Sequence, residues 1–365
     1  MSRKALIAVI VVAVVVLAVA IWVATRQPSS TEALKIGAVF PLTGDTASYG
    51  QASKRGIDLA IEEINAKGGV AGRPLKVVFE DDEGKAPKAV SALQKLITAD
   101  RVSVVMGSAG SSVTLAMAPV TNENKVVLIT PVSSSPELTT KGGPYFFRVC
   151  PSDVVQAAMM AQWFKDDGRR TAGVIYLTTS WGEGLKEEFI SKFTALGGRV
   201  VATEACKEGD RDLRAQLTKA KESNPDALYA ITHGREGGAL LRQAKELGIT
   251  QPIYGADVWG SPELTESAGD AAKGVKIILP TKYTGEAYQT FADTFKKRYS
   301  QEPDVYSAYA YDMTRLIAQA LSGADDGTHV RDNLRKMSFN GVTGATEFDQ
   351  NGDVIGKGFE RKVLP

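Results

Sequence analysis

The chain has 365 residues, of which 44% are hydrophobic, and its 43 basic side chains nearly balance its 42 acidic ones. This balance excludes a basic nucleic-acid-binding protein and an acidic disordered chain, and a count of two cysteines excludes a small disulfide-stapled domain. With only two histidines, we expect no histidine-rich metal site and no cofactor. Because a single hydrophobic core stops growing at roughly 250–300 residues, the length predicts two packed units.

The N-terminus carries an apolar run at residues 5–24, directly behind Arg3 and Lys4. A helix of this length spans about 30 Å, whereas the apolar core of a secretory signal usually has about 7–15 residues. Residues 1–26 are therefore either a membrane anchor or a long, cleaved signal peptide. In both cases the positive charges stay inside and the rest is exported. We expect a periplasmic or extracytoplasmic protein whose N-terminal segment contacts the membrane, with residues 27–33 as a linker.

Short β-type runs alternate with amphipathic helical windows from Leu34 onward. Most of the runs are apolar on both faces, as buried parallel strands require. They lie at residues 34–40, 75–80, 102–106, 126–130, 146–149, 171–176, 199–205, 227–232 and 276–279. Between them, apolar residues recur at the spacing of one helical face, as at Ile57, Ile61 and Ile64. This alternation predicts a doubly wound α/β fold.

The C-terminal third has a different pattern. Apolar stripes that start at Phe291 and Tyr309 predict two long consecutive helices, and two short strands should follow at residues 342–348 and 358–363. The step Asn351-Gly352 between these two runs predicts a hairpin. Two α/β lobes, with a chain that returns to each, account for this order better than one very large sheet.

Two loops rich in serine and glycine follow predicted strands, at residues 107–112 and 131–136. In open α/β sheets, ligands bind beyond the carboxyl ends of the strands, where backbone N–H groups are unpaired. Hydroxyls and free N–H groups in this position suit an anion such as a carboxylate. Alternatively, these residues only cap helices and form turns. The composition leaves both interpretations open.

Seven segments resemble, in order and spacing, the leucine/isoleucine/valine-binding protein family, the type I periplasmic receptors of ABC importers. They are LKIGAVFPLTGDTASYG, INAKGGVAGRPLKVVFEDDEG, LITPVSSSPELT, FFRVCPSD, SWGEGL, LLRQAKELGI and GVTGATEFDQNGD. The resemblance covers roughly Leu34 to Leu364. It implies two α/β lobes joined by a three-segment hinge, with an amino acid held in the cleft. Lobe one would comprise residues 34–151 and 281–341, and lobe two residues 152–280 and 342–365.

The resemblance also assigns ligand contacts position by position. Ser111 matches the serine that bonds the ligand carboxylate, and Val132 and Ser134 match the contacts of the second loop. Asp153 and Asp257 match the two acids that bind the ammonium group. Asp257 stands where branched-chain binders usually have glutamate, which is one carbon longer.

Three aromatic positions would form the walls around the ligand side chain. Tyr49 matches a tyrosine that covers this side chain, while Trp181 and His233 replace other aromatic residues of the family. With Trp259 nearby, these changes would make the pocket smaller, flatter or more polar than a leucine site. The alternatives are that Trp181 is a core aromatic under the next helix and that His233 is a hydrogen-bonded interior histidine.

Cys150 and Cys206 both fall at predicted strand ends in a chain destined for an oxidising compartment. They form either a disulfide or two buried thiols. Nearby residues offer too few further ligands for a metal site.

The sequence lacks the common phosphate-binding, zinc-protease, redox and serine-hydrolase motifs, so we expect no enzyme. We expect instead a monomeric receptor that closes on an aliphatic or branched-chain amino acid and delivers it to the membrane permease of an ABC importer. No nucleic acid should bind. Two alternatives are a receptor for an amide, urea or aromatic acid on the same fold, and a ligand sensor that signals to a membrane partner.

Overall fold

A computed structural model describes residues 32–322 and 326–365. The predicted signal or anchor segment and most of the predicted linker lie outside these residues. Within the two described ranges, no helix is long and apolar enough to cross a membrane.

The first sheet is built from the residues before position 149. Its strands are β1 (Leu34–Phe40), β2 (Leu75–Asp81), β3 (Val104–Gly107), β4 (Val127–Thr130) and β5 (Phe146–Arg148). All pair in parallel, in the order β2-β1-β3-β4-β5. The intervening helices are α1 (Ala47–Ala66), α2 (Ala86–Thr98), α3 (Ser111–Glu123) and α4 (Pro136–Lys141). Every residue of β3 and β4 is buried, as expected for central strands covered on both faces.

The second sheet follows directly in the chain. Its parallel strands are β6 (Thr171–Leu177), β7 (Arg199–Cys206), β8 (Ala227–Ile231), β9 (Ile253–Gly255) and β10 (Lys276–Pro280). Its helices are α5 (Asp153–Asp166), α6 (Ser180–Ala195), α7 (Arg214–Glu222), α8 (Gly234–Glu246) and α9 (Pro262–Ala268). Short 3-10 helices lie at Asp257–Gly260 and Gly269–Ala272. The two sheets confirm the predicted division into two α/β units.

The C-terminal third contributes elements to both α/β units. Helices α10 (Glu286–Tyr299) and α11 (Val305–Ala320) pack on α1 through a shared apolar cluster, and α12 (Gly327–Lys336) follows them. Strands β11 (Phe339–Gly341) and β12 (Gly344–Thr346) form a small antiparallel pair. Strand β13 (Phe359–Val363) then joins the second sheet antiparallel to β10, which gives the order β13-β10-β9-β8-β6-β7.

The hairpin predicted around Asn351-Gly352 exists only as a turn. Phe348 and Val354 form one antiparallel bridge across it, but the flanking strands do not pair with each other. Residues 344–346 pair with β11, and residues 359–363 pair with β10 over five positions. The prediction is wrong because the edge of the second sheet offers residues 359–363 a longer ladder than the neighbouring run does.

The chain passes between the two sheets at residues 149–152, 281–285 and 347–358. The sequence placed the third passage near position 342. In the structure, Val342 instead lies in the turn between β11 and β12 and packs in the cluster of Leu59 and Phe291. The third passage therefore lies later in the chain than predicted.

Candidate functional site

A cavity of about 370 Å³ lies between the two sheets, beyond the carboxyl ends of their strands. Small-molecule sites usually have about 300–1,000 Å³. Seven of the eight predicted ligand residues line it: Tyr49, Ser111, Val132, Ser134, Trp181, His233 and Asp257. The eighth, Asp153, is fully buried behind the wall.

The wall on the side of the first sheet begins where β3 ends. Gly107 has a φ of +133°, and a Cβ atom there would lie 1.9 Å from the carbonyl oxygen of Val39. Only glycine fits this close approach, which turns the chain into the loop before α3. Ser111, the first residue of α3, accepts a hydrogen bond from the Ser135 N–H at 3.2 Å. Its hydroxyl hydrogen has no acceptor among the described residues and can be donated to an anion.

The second loop is held by hydroxyl groups beneath it. The Thr130 hydroxyl accepts from the N–H groups of Val132 and Ser133 at 3.2 and 3.1 Å. The Ser133 hydroxyl lies 2.7 Å from that of Thr114. The N–H of Ser134 has no acceptor in the described part of the chain, so it is available to a ligand together with the Ser111 hydroxyl.

Two carboxylates lie close together beside the second loop. Asp153 begins α5 and accepts from the Ser134 hydroxyl at 2.9 Å. The Gln156 side chain donates to Asp153 at 2.8 Å and to Asp257 at 3.2 Å, and it accepts from the Asp257 N–H at 3.0 Å. Gln156 therefore joins the two acids. Gln156 was not predicted from the sequence, although its position three residues after Asp153 places it on the same helical face.

Burial raises the pKa of Asp153, and the nearby charge of Asp257 raises it further. Burial also raises the pKa of Asp257. Two carboxylates in one site disfavour each other's ionisation, and a cation between them relieves this. Within the described residues, no lysine or arginine forms an ion pair with either acid. The pair therefore suits a cationic group of a ligand.

Aromatic rings form the remaining wall. The rings of Trp181 and His233 stack at a centroid distance of 5.3 Å and an interplanar angle of 7°. The ring centroid of Tyr49 lies 5.9 Å from that of His233. The ring of Tyr306 packs edge-on against that of Tyr49, with a centroid distance of 5.4 Å. Tyr306 also lines the cavity. The sequence did not predict it, because its place near the apolar stripe of α11 looks like that of a core residue.

Trp259, expected near the pocket, has a structural position instead. It is fully buried, and its indole N–H donates to the carbonyl of Thr232 at 2.8 Å. A Cβ atom at Gly237 or Gly255 would clash with its ring. Trp259 supports the loop that carries Asp257 without reaching the cavity.

Of the two alternatives left open for Cys150 and Cys206, the structure has two buried thiols and no disulfide. Both cysteines are buried and free. The Cys150 thiol faces the carbonyl of Ser133 at 3.6 Å, and the Cys206 thiol faces the carbonyl of Tyr176 at 3.3 Å. The pairing fails because Cys206 ends β7, the edge strand of the second sheet, whereas Cys150 lies between the sheets. The alternative of two buried thiols is the one the structure has.

The described ranges contain no group of three or more histidine, cysteine or acidic side chains that could hold a metal ion.

One rim of the cavity is bridged by hydrogen bonds between the two sides. The Ser112 hydroxyl accepts from the N–H of Ser180 at 3.0 Å, and its oxygen lies 3.3 Å from the Ser180 hydroxyl oxygen. The Ser135 hydroxyl donates to the Ser180 carbonyl at 2.8 Å. Helices α3 and α4 thus contact the start of α6 across the cleft.

Comparison with known proteins identifies relatives over most of the length of the chain. A family profile described as periplasmic binding protein matches residues 33–358. The chain is 31% identical over 332 residues to the leucine-, isoleucine-, valine-, threonine- and alanine-binding protein of Pseudomonas aeruginosa, covering 89% of this chain and 88% of that protein.

Two solved structures are also similar. A leucine binding protein from Thermotoga maritima has a TM-score of 0.83 and 32% identity, covering 91% of this chain and 98% of that one. A branched-chain amino acid transporter substrate binding protein from Streptococcus pneumoniae, solved with isoleucine, has a TM-score of 0.81 and 30% identity. That match covers 91% of this chain and 100% of the other.

Proposed function

This chain belongs to the periplasmic binding protein family, among the leucine/isoleucine/valine-binding proteins of ABC transporters, and on this premise we propose that it captures a free α-amino acid for a membrane permease. Members of the family bind substrates without converting them, which confirms the prediction that the chain is no enzyme. Family membership also implies an extracytoplasmic location.

The observation that carries the proposal is that donors for an anion and an acidic group face the same cavity. The Ser111 hydroxyl and the Ser134 N–H face it as donors, which suits a carboxylate. Asp257 faces it as an acid with no basic partner among the described residues and with Asp153 behind it. A zwitterion places a charge of the correct sign at each end, and charge-assisted hydrogen bonds are roughly twice as strong as neutral ones.

Calorimetry with all proteinogenic amino acids tests this proposal, followed by the α-keto acid that matches the best of them. A buried acid without its cation keeps its desolvation cost and loses the compensating bond. The keto acid should therefore bind at least about 100-fold more weakly, which is about 2.7 kcal/mol. Equal affinities would contradict the proposal and would favour an amide, urea or aromatic acid as the ligand.

We further propose that closure of the cleft accompanies binding, and the contacts of Ser180 support this. A Ser112→Cys/Ser180→Cys double variant should form a disulfide on oxidation, because the two hydroxyl oxygens are 3.3 Å apart. The oxidised protein should release bound amino acid much more slowly than the reduced one. Each single variant is the matched control. Unchanged release after complete oxidation would contradict a hinge mechanism.

Delivery to the permease is the last part of the proposal. The relatives are named as binding proteins for leucine, isoleucine, valine and other small amino acids, and these ligands are the first to test in a transport assay. Uptake by cells that carry the cognate permease should require the chain. Uptake that is unchanged after its deletion would contradict a transport role.

A further inference from the structure

The cavity carries more negative charge than an α-ammonium group can balance. Six acidic and three basic side chains line the cavity. Each basic side chain has an acidic partner on the cavity wall: Lys85 with Glu83 at 3.0 Å, Arg211 with Glu236 at 3.4 Å and Arg235 with Asp45 at 4.0 Å.

Three acids of the wall have no lysine or arginine partner in the described part of the chain. Asp257 is the first and belongs to the ammonium site proposed above. The other two are Glu208, whose described contact is with His233 at 3.1 Å, and Glu263, which lies beside Gly234 at the start of α8. Glu208 is exposed and Glu263 is half-buried, and both line the cleft without a lysine or arginine among the described residues to balance their charge.

Tyr49 gives an independent indication of a ligand at this place. Its side chain lines the cavity and is only 9% exposed, yet its hydroxyl has no hydrogen-bond partner among the described residues. Burial raises its pKa, and the charges of Asp257, Glu263, Glu236 and Glu208 raise it further. The ring of His233, whose Nε2 lies 3.1 Å from a carboxylate oxygen of Glu208, has its centroid 5.9 Å from that of Tyr49. A buried polar group is almost always hydrogen-bonded, so an orphan hydroxyl facing a cavity indicates a ligand donor or acceptor.

Resting on the proposed amino-acid function, we propose that the ligand has a cationic side chain whose charged end lies at the Tyr49 hydroxyl, between Glu208 and Glu263. The aliphatic stem of such a side chain would run along the stacked rings of Trp181 and His233. Long cationic side chains have apolar stems that pack on such surfaces.

Charge complementarity favours such a side chain. Glu208 stays about half exposed in the structure, so a cation at this place gains from attraction to two carboxylates and not from relief of a large desolvation cost. A leucine side chain would leave Glu208 and Glu263 without a cationic partner. A guanidinium or ammonium group pairs with them and also makes cation–π interactions with the aromatic faces. The proposed ligand therefore differs in its side chain from the ligands for which the relatives are named.

Calorimetry with isosteric ligand pairs tests the proposal. Arginine should bind at least about 10-fold more tightly than citrulline, and lysine at least about 10-fold more tightly than 2-aminoheptanoic acid, since each pair differs only in the terminal group. Leucine should bind more weakly than arginine. Glu208→Gln and Glu263→Gln should each reduce the arginine preference several-fold, while Glu266→Gln, an exposed residue of α9 outside the cavity wall, should leave it unchanged.

Thermal melts of each variant verify that it folds, and Glu208 is exposed enough for its substitution to be tolerated. Leucine binding more tightly than arginine, with arginine equal to citrulline, would overturn the cationic side chain and leave the amino-acid function standing. Binding of a keto acid as tight as that of its amino acid would overturn the proposed function itself. The two failures are thus distinguishable.

Discussion

The hydroxyl of Ser134 donates to the carboxylate of Asp153 at 2.9 Å and thereby stands between this acid and the cavity. Asp153 is fully buried, and its remaining described side-chain bond is from Gln156. It therefore acts on a ligand indirectly, by orienting Ser134 and Gln156 and through its negative charge. Asp257 is the acid that a ligand meets directly.

This difference predicts unequal effects of neutralising the two acids. Asp257→Asn should weaken amino-acid binding about 100-fold, because it removes a charge-assisted bond worth about 1.5–3 kcal/mol. Asp153→Asn should cost about 10-fold, since it removes only the more distant charge and the acceptor of Ser134. Calorimetry on both variants gives the comparison. Equal losses would mean that Asp153 also reaches the ligand.

The same pair of acids predicts a pH dependence of the empty protein. The pKa values of both carboxyls are raised in the folded state, while an unfolded aspartate titrates near 3.9. Between these values the folded protein holds protons that the unfolded chain has lost. The free energy of unfolding therefore falls as the pH rises through this window.

Asp257→Asn should consequently raise the melting temperature of the empty protein at pH 7.5 by about 3–5 °C. The gap should narrow toward pH 4, where both acids are protonated in the folded state and about half protonated in the unfolded chain. Thermal melts from pH 4 to 8 provide the measurement. A variant that is less stable than the unmutated protein at pH 7.5 would show that the pair stabilises the empty fold.

The sequence predicted the strands that fill the two sheets better than the contacts that assemble the site. All eleven predicted strands form, with ends shifted by two residues at most, because each carries its own pattern. Strands β9 and β11 were missed, since each has three residues and ends in glycine.

Contacts between distant positions have no such local signal. Gln156 and Asp257 are 101 residues apart, and nothing in either neighbourhood indicates that they meet. The resemblance to a family supplied seven residues of the cavity wall, but it also placed Asp153 as a direct contact. Only the fold shows that the Ser134 hydroxyl is interposed.

A buried ion pair at the passages between the sheets predicts a large loss of stability on substitution. Arg148 is fully buried, donates to the carbonyls of Ser134 and Ser135 at 2.8 Å and pairs with Asp353 at 2.7 Å. Asp353→Asn leaves this guanidinium without its counter-charge, which costs about 3–5 kcal/mol for buried pairs.

Urea denaturation of the two proteins measures this difference. The control is Glu62→Gln, whose pair with Arg298 has both side chains about half exposed and should cost about 0–1 kcal/mol. Similar losses in the two variants would show that the pair of Arg148 and Asp353 has no special role.

The two cysteines predict an unreactive native protein. Burial raises the thiol pKa of Cys150 and Cys206 to about 12, so neither forms much thiolate near neutral pH. Titration with a thiol reagent should detect almost no reactive thiol in the native protein and two thiols per chain after denaturation without reductant. Reductant should not change the melting temperature. If no thiol reacts in the denatured, unreduced protein, Cys150 and Cys206 form a disulfide after all.

The wall of the cavity is divided between the sheets in a way that bears on how this chain can be engineered. The donors for a carboxylate, Ser111 and Ser134, follow strands of the first sheet. Trp181, His233 and Asp257 all follow strands of the second sheet. A chimaera that exchanges residues 153–280 with those of a relative would therefore keep the donors for the ligand carboxylate and take the ammonium site and part of the aromatic wall from the relative. Selection can act on the carboxylate site separately from the ammonium site.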